Sequence, residues 1–434
     1  MSRLALACYG LTAGVLIALV VFELSRDDVN VAPAPRAPVA EASPSPTPSP
    51  SPSPTPTPPP AGKGLAVGVT EFNANLVAAP AAKQVPEPWN AVRDKLGAIH
   101  PAYFRFVVDW ASVQPSAQAP ANMDQPQAGC MREIGPCLGW GGIREQLRAL
   151  ASRQREGGWT TLVVFTSTPE WAASPPSGCE RPRAGPRARP PRPDALPAYR
   201  ALVEAVLKTA GEEGAALTYF SPWNEPNHPA FISPQRPVCD PSATSSSPAA
   251  YAQIATTLKQ TLDAAPGEQQ LVLGETAGLM KTTRYVTSVP DFIAGLPTDL
   301  ICRTTVWSQH AYIGGDDPVE RAEAALTAHG CPHRFTVWIT ETGVGPASKD
   351  LSAGGSIADL AVGCKALHRQ LVRWYEDPRV TIAFQYTVRE DDKFATGLVS
   401  TDLTSDRPAL KEWTAWGGGR AATDPPPQST CGAT

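Results

Sequence analysis

The feature that most constrains this chain is an alternation of short apolar runs with longer amphipathic ones, sustained from Gly64 to Trp416. The runs Gly64–Thr70, Ala102–Asp109, Trp159–Ser167, Ala215–Ser221, Gln270–Thr276, Cys302–His310, Phe335–Glu341 and Val380–Tyr386 predict eight strands. They are short and apolar, as strands covered on both faces are. Between them the helical period recurs. Gly142–Glu156 carries Ile143, Leu147 and Leu150 on one face, and Ala198–Ala210 carries Leu202, Val206 and Leu207. Ala250–Leu262 carries Ile254, Leu258 and Leu262, and Ala358–Tyr375 carries Leu360, Val362, Leu367, Leu371 and Trp374. Each set is the apolar stripe of a helix laid against a sheet. Eight such units predict an α/β fold, a closed (β/α)8 barrel with its helices outside. An open doubly wound sheet competes with it, but that fold normally places a glycine-rich loop after its first strand. Here Glu71-Phe72-Asn73-Ala74-Asn75 follows, without glycine.

In a parallel barrel the reactive groups stand at the C-terminal ends of the strands. In chain order those ends carry Glu71 and Asn73, Asp109-Trp110, Pro169-Glu170-Trp171, Asn224-Glu225, Glu275, Gln309-His310-Ala311-Tyr312, Glu341, Gln385-Tyr386, and Arg389 to Asp392. Two carboxyls stand out. Glu225 lies in Ser221-Pro222-Trp223-Asn224-Glu225-Pro226-Asn227, and Glu341 ends Phe335-Thr336-Val337-Trp338-Ile339-Thr340-Glu341. Two carboxyls facing one gap are what cleavage of a glycosidic bond requires. Either one alone could cap a turn or a following helix. Glu275 also ends a predicted strand and reads as sugar-binding or structural. Trp110 and Trp171 suit platforms for sugar rings, and they suit packing at the rim equally well. His310 and Tyr312 alternate about Ala311, so both point the same way.

Trp223-Asn224-Glu225-Pro226-Asn227 resembles the strand-four motif of the retaining glycoside hydrolases of clan A, closest to the family 39 group with its β-xylosidase-like members. Phe104-Arg105-Phe106 with Trp110, Thr168-Pro169-Glu170-Trp171, His310-Ala311-Tyr312 and Ile339-Thr340-Glu341 support the likeness. It implies a TIM barrel with Glu225 as general acid/base and Glu341 as nucleophile. It further implies Asn224 on the sugar hydroxyl beside the reacting carbon, Arg105 holding the nucleophile ionised, Tyr312 hydrogen-bonded to it, and His310 lining the site; from their places at the strand ends, Trp110, Trp171, Glu275 and Tyr386 are expected to bind substrate as well. No cofactor or metal is implied. The expected substrate is an extracellular or cell-wall glycan. A non-catalytic glycan-binding barrel and a transglycosylase are the alternatives.

Residues 1–24 are almost wholly apolar after Arg3, long enough for a bilayer and read as a transmembrane signal anchor. A cleaved signal peptide, giving a secreted protein, is the rival. Residues 25–63 form a Ser/Thr-Pro-rich linker that can join neither helix nor sheet and should extend as a polyproline spacer. The barrel is expected over 64–420, with a C-terminal tail over 421–434. Everything past the anchor is therefore expected outside the cytoplasm. Beyond Cys8, eight cysteines remain, and pairing them in order gives Cys130–Cys137, Cys179–Cys239, Cys302–Cys331 and Cys364–Cys431. A net charge of −4 argues against a nucleic-acid partner. The Arg/Pro-rich insert Glu180–Pro193 follows the third strand and reads as a solvated loop, or alternatively as a cationic lip for an acidic polymer.

Overall fold

A computed structural model describes residues 64–127, 138–182, 184–314, 316–345, 357–390 and 395–432. The anchor, the linker, the Cys130–Cys137 pair, Arg183, Asp391 and Asp392 lie outside the described residues. Among the described residues no helix is long and apolar enough to cross a membrane.

The strands are β1 (Ala66–Thr70), β2 (Tyr103–Asp109), β3 (Thr160–Thr166), β4 (Tyr219–Ser221), β5 (Gln270–Leu271), β6 (Leu273–Thr276), β7 (Val306–His310), β8 (Thr336–Thr342) and β9 (Val380–Tyr386). All neighbours pair in parallel, in the order β5-β4-β3-β2-β1-β9-β8-β7-β6. β5 and β6 are the two halves of the predicted fifth strand, interrupted only at Val272. β5 pairs with β4 and β6 pairs with β7, so this broken strand closes the ring. The helices that follow the strands are α1 (Trp89–Ile99), α2 (Ile143–Gly157), α3 (Leu196–Glu213), α4 (Ser247–Ala264), α5 (Val289–Ala294), α6 (Val319–Thr327), α7 (Ile357–Glu376) and α8 (Pro408–Gly417). Thus the TIM barrel stands and the open sheet falls.

Two boundaries and one helix face depart from the sequence reading. The fourth strand starts at Tyr219 rather than Ala215, because Ala215 N still donates to Ala210 O of α3 (2.8 Å) and Ala216 N donates to the Gln154 side chain (2.8 Å). Cys302 does not open the sixth strand. It caps the short helix Thr298–Ile301, and its amide donates to Thr298 O (2.9 Å). Val362 is not on the buried face of α7 but is 56% exposed.

Residues of alternate parity fill two separate cores. Leu162, Val164, Val272, Val306, Trp338, Ile382 and Phe384 fill the barrel interior. Val163, Leu273, Val337, Ile339 and Ala383, their neighbours in sequence, pack outward against the helices. The interior filling is aromatic, with Tyr219 4.6 Å and Tyr103 5.6 Å from the Trp338 ring centre. Gly68 leaves room for the Phe384 ring, which a Cβ there would meet at 2.4 Å.

The disulfides Cys179–Cys239, Cys302–Cys331 and Cys364–Cys431 pair as expected. Such bonds belong to oxidising compartments outside the cytoplasm. The last of them fastens the C-terminal run. The buried Glu412 carboxylate of α8 accepts from Thr430 N (2.9 Å) and Thr430 Oγ1 (3.0 Å), while Ala422 O receives Leu65 N (2.9 Å) from the start of the barrel. The run is a strap rather than a loose tail. Replacing Cys431 with Ser is expected to lower unfolding free energy by about 2–4 kcal/mol. Denaturant titration of the oxidised protein against the variant checks this, and an unchanged midpoint would show that the strap carries no stability.

Candidate active site

β2 has the sequence Tyr-Phe-Arg-Phe-Val-Val-Asp, and its alternation sends Phe104, Phe106 and Val108 outward and Arg105 inward. Arg105 is 1% exposed, deep in the mouth of the barrel, and its guanidinium holds three partners. Nε and one terminal nitrogen donate to Glu275 Oε2 (2.9 and 2.6 Å), the same nitrogen donates to Asn224 Oδ1 (2.6 Å), and the other nitrogen pairs with Glu341 Oε1 at 2.8 Å. The expected Arg105–Glu341 pair is present. The second carboxylate on the same fork was not expected.

His310 at the end of β7 makes the matching set of contacts. Its Nδ1 lies 2.9 Å from Glu225 Oε1 and 3.3 Å from Glu341 Oε2, and its Nε2 lies 3.2 Å from Glu275 Oε2. Tyr312 Oη donates to Glu341 Oε2 at 2.6 Å. Oxygens of Glu225 and Glu341 therefore fall within 4.8 Å of each other, with one imidazole nitrogen against both. Asn224, Glu225, Glu275, His310, Tyr312, Glu341 and Arg105 form one cluster.

The backbone is bent to deliver these groups. Glu225 has φ 37° and Glu275 φ 52°, left-handed conformations that a side chain with a Cβ rarely takes. They persist because neighbours fix them. Glu225 N donates to Glu275 O (2.8 Å), Asn224 N to Phe165 O (2.9 Å) and Glu275 N to Ser308 Oγ (2.6 Å). Ser308, and Tyr251 from α4 with its hydroxyl on Gly274 N (2.8 Å), are supporting residues that sequence reasoning missed. Nothing in their local sequence marks them.

The charges follow from the contacts. Burial alone would favour neutral Glu275, but Arg105 and His310 outweigh it and hold its pKa at about 2. Burial would likewise discharge His310, yet Glu341, Glu225 and Glu275 raise its pKa to about 10, so it is an imidazolium with both nitrogens donating. Burial and the nearby Glu341 charge push Tyr312 well above the usual phenol range. Glu225 and Glu341 divide what remains. Burial pushes Glu225 up, but its close hydrogen bond to His310 prevails and it titrates below the ordinary value. Burial together with the Glu225 charge keeps Glu341 above it, despite His310 and Arg105. The two shifts run opposite to the split that the resemblance implies, in which Glu225 is the acid. The cause is the shorter reach of His310 to Glu225.

This cluster does not suit a metal. Glu225, His310 and Glu341 converge closely enough for one cation, but the imidazolium and the Arg105 guanidinium already supply the positive charge there. The other convergent set, Cys364, Glu412 and Cys431, has both sulfurs in a disulfide.

Several rim residues fall elsewhere. Trp110 is fully buried, with Nε1 on Gln114 and its ring edge-on to Trp171 and Tyr199, so it packs and cannot carry a sugar. Glu275 is 0% exposed and is likewise out of a ligand's reach. Trp171 remains half-buried at the mouth, with Nε1 on Gln114 O (2.9 Å). Tyr386, also half-buried, stands edge-on to Phe72 and Tyr312. Glu71 stays apart from the cluster and clamps the amides of Phe72, Asn73 and Arg389. Arg389 turns to Thr401 O and the Trp89 ring. Three of the five arginines of the insert are paired with acids. Arg187 pairs with Asp109, Arg189 with Glu180 and Arg192 with Asp194, while Thr168 Oγ1 donates to Arg189 O (2.5 Å) and ties the insert to the end of β3.

The pKa shifts predict a pH dependence of stability. The His310 pKa is raised, so its contribution is complete below about pH 6.5 and is lost as pH rises towards 10. The Glu275 pKa is lowered, so its contribution is complete above about pH 4.5 and is lost on acidification towards pH 2. Urea midpoints should fall from pH 6.5 to 10, with a shallower slope in His310→Gln. Equal slopes would remove the imidazolium from the cluster.

No family model and no curated protein matches this chain. Solved structures match at low identity. A conserved exported protein from Bacteroides fragilis aligns over 83% of this chain and 80% of its own, with 13% identity and a TM-score of 0.53. A GH5_18 protein from Bifidobacterium longum subsp. infantis aligns over 84% and 80%, with 12% identity and a TM-score of 0.50. A family 39 glycoside hydrolase from Bacteroides cellulosilyticus WH2 aligns with 16% identity and a TM-score of 0.48 over 82% of this chain, which spans 64% of that protein's length. The first two likenesses agree on the parallel α/β barrel. In fold, this chain is a TIM barrel.

Proposed function

We propose that this protein is a retaining glycosidase acting outside the cytoplasm on a cell-surface or cell-wall glycan. The observation that carries this reading is the approach of Glu225 and Glu341 oxygens to within 4.8 Å at the mouth of the barrel. Retaining enzymes hold their two carboxyls about 5–5.5 Å apart, whereas inverting ones leave room for a water between them.

Glu225 donates a proton to the leaving oxygen as Glu341 attacks the anomeric carbon and forms a glycosyl ester. Glu225, now ionised, then takes a proton from the water that hydrolyses the ester. Attack needs Glu341 ionised and Glu225 protonated. His310 Nδ1, in contact with both carboxyls, offers a path by which a proton can pass between them. Asn224, its Oδ1 held by Arg105, presents its amide hydrogens to a sugar hydroxyl. Trp171 and Tyr386 offer ring faces at the mouth. The apolar run and proline-rich spacer of residues 1–63 would tether the barrel at the outer membrane face.

The test is a screen on aryl glycosides and wall polysaccharides, with the anomer released in the first turnovers read by proton NMR. Retention supports the reading, and inversion overturns it. Sugar transfer to an added alcohol with retention, in place of hydrolysis, would assign the transglycosylase.

A further inference from the structure

We propose that Glu275 is a third functional carboxylate, a positioning residue that never touches substrate but fixes the protonation of the two that do. The inference rests on the glycosidase reading for its kinetic part and on geometry alone for the rest. Glu275 Oε2 is the one atom that meets both cations of the site, Arg105 at 2.6 Å and His310 Nε2 at 3.2 Å. Each cation in turn meets the reacting pair: Arg105 reaches Glu341, and His310 reaches Glu225 and Glu341. A negative charge at 0% exposure is a costly thing to place in a barrel unless it is fully paired.

The fold is distorted to put it there. In β6, Leu273 faces the helices, and plain alternation would send Glu275 the same way. The β6–β7 register shifts between Gly274 and Thr276, and this bulge turns Glu275 inward. Gly274 has φ 115°, and a Cβ there would lie 2.1 Å from Ser308 O, so only glycine permits the bend. Tyr251 and Ser308 then hold the bent amides. A barrel that needed only a filler at this point had no reason to break its closing strand.

The groups facing Glu275 come from every surrounding element. They are Arg105 from β2, His310 from β7, Thr340 from β8, the Tyr251 hydroxyl from α4, and at longer range Glu341 and Glu225. With Glu275 ionised, His310 keeps its proton and can pass it along Nδ1. With Glu275 neutral, the cluster gains one net positive charge. Glu225, Glu341 and His310 should then all titrate lower.

The wild-type protein gives the first test. Imidazole nitrogen NMR should show His310 still protonated well above pH 7, and a His310 titrating at its ordinary value would overturn the proposal. In Glu275→Gln the His310 midpoint should move down by at least one pH unit. On the best aryl glycoside, kcat should fall on the order of 10²-fold with KM nearly unchanged, and both limbs of the pH profile should move to acid. Glu275→Asp should restore the limbs but only part of kcat. A structural role alone would lower the melting temperature and leave His310 and both limbs in place, which would refute the assignment. A moved His310 in a protein whose Glu225 and Glu341 variants keep full activity would sink the glycosidase reading and leave this electrostatic one standing.

Discussion

Replacing Glu341 with Gly is expected to reduce kcat on an aryl glycoside on the order of 10⁴-fold or more, since the proposed mechanism makes it the group that forms the glycosyl ester. Replacing Glu225 with Gln should cost about 10²–10⁴-fold, less for substrates whose leaving group needs no proton. The two variants are best separated by azide. In Glu341→Gly the cavity left by the side chain admits azide from the opposite face of the sugar, giving a glycosyl azide of inverted configuration. In Glu225→Gly or Glu225→Ala the glycosyl ester still forms, and azide displaces it with net retention. The Glu225 oxygens lie within 4.8 Å of those of Glu341, so both products should arise in one pocket. Interchanged stereochemistry would interchange the roles. Full activity in both variants would remove them from the reaction.

The second large effect concerns Arg105. Arg105→Met should lower unfolding free energy by about 3–5 kcal/mol, because it leaves two buried carboxylates, Glu275 and Glu341, with His310 as the one cation facing both among the described residues. Glu275 is 0% and Arg105 1% exposed, so water cannot substitute for the lost partner. The sign of the pH dependence is diagnostic. Without Arg105, His310 alone opposes burial, so the Glu275 pKa should rise from about 2 and the variant should lose less stability than the wild type as pH falls. Arg105→Lys should recover little, since one ammonium cannot reach Glu275, Asn224 and Glu341 at once as the fork does. Urea unfolding of wild type and variants at pH 7 and about pH 3 measures both claims. A variant as stable as the wild type at pH 7 would mean that the cluster is solvated.

Much of this arrangement is legible in the chain. Apolar runs too short for helices, separated by helical stripes, dictate a parallel sheet, and eight such units are what close it. Trp223-Asn224-Glu225-Pro226 marks its carboxyl through its neighbours. Trp110 misleads for a physical reason: an indole at a strand end suits a platform and a packing wedge equally, and only the rings of Tyr199 and Trp171 around it decide. The arginines of the insert misled similarly. Arg189 and Arg192 find Glu180 and Asp194 within or beside the insert, but Arg187 pairs with Asp109 from beyond β3, and that pairing leaves no local trace.

The sequence by itself determined the alternation of elements, the three disulfide partnerships described, and which residue types gather at the mouth of the barrel. Burial on both faces of a strand and the order of cysteines are properties of one dimension. The direction in which the carboxyls point is not. Val337 and Ile339 pack outward on β8, so alternation would aim Glu341 at the helices, as it would Glu275 on β6. Register shifts after Ile339 and around Gly274 turn both inward, to Arg105 and His310. Gly274 marks the bend in β6, but which way it turns Glu275, and the shift after Ile339 altogether, are decided only where neighbouring strands pair, because a bulge is a mismatch between two strands.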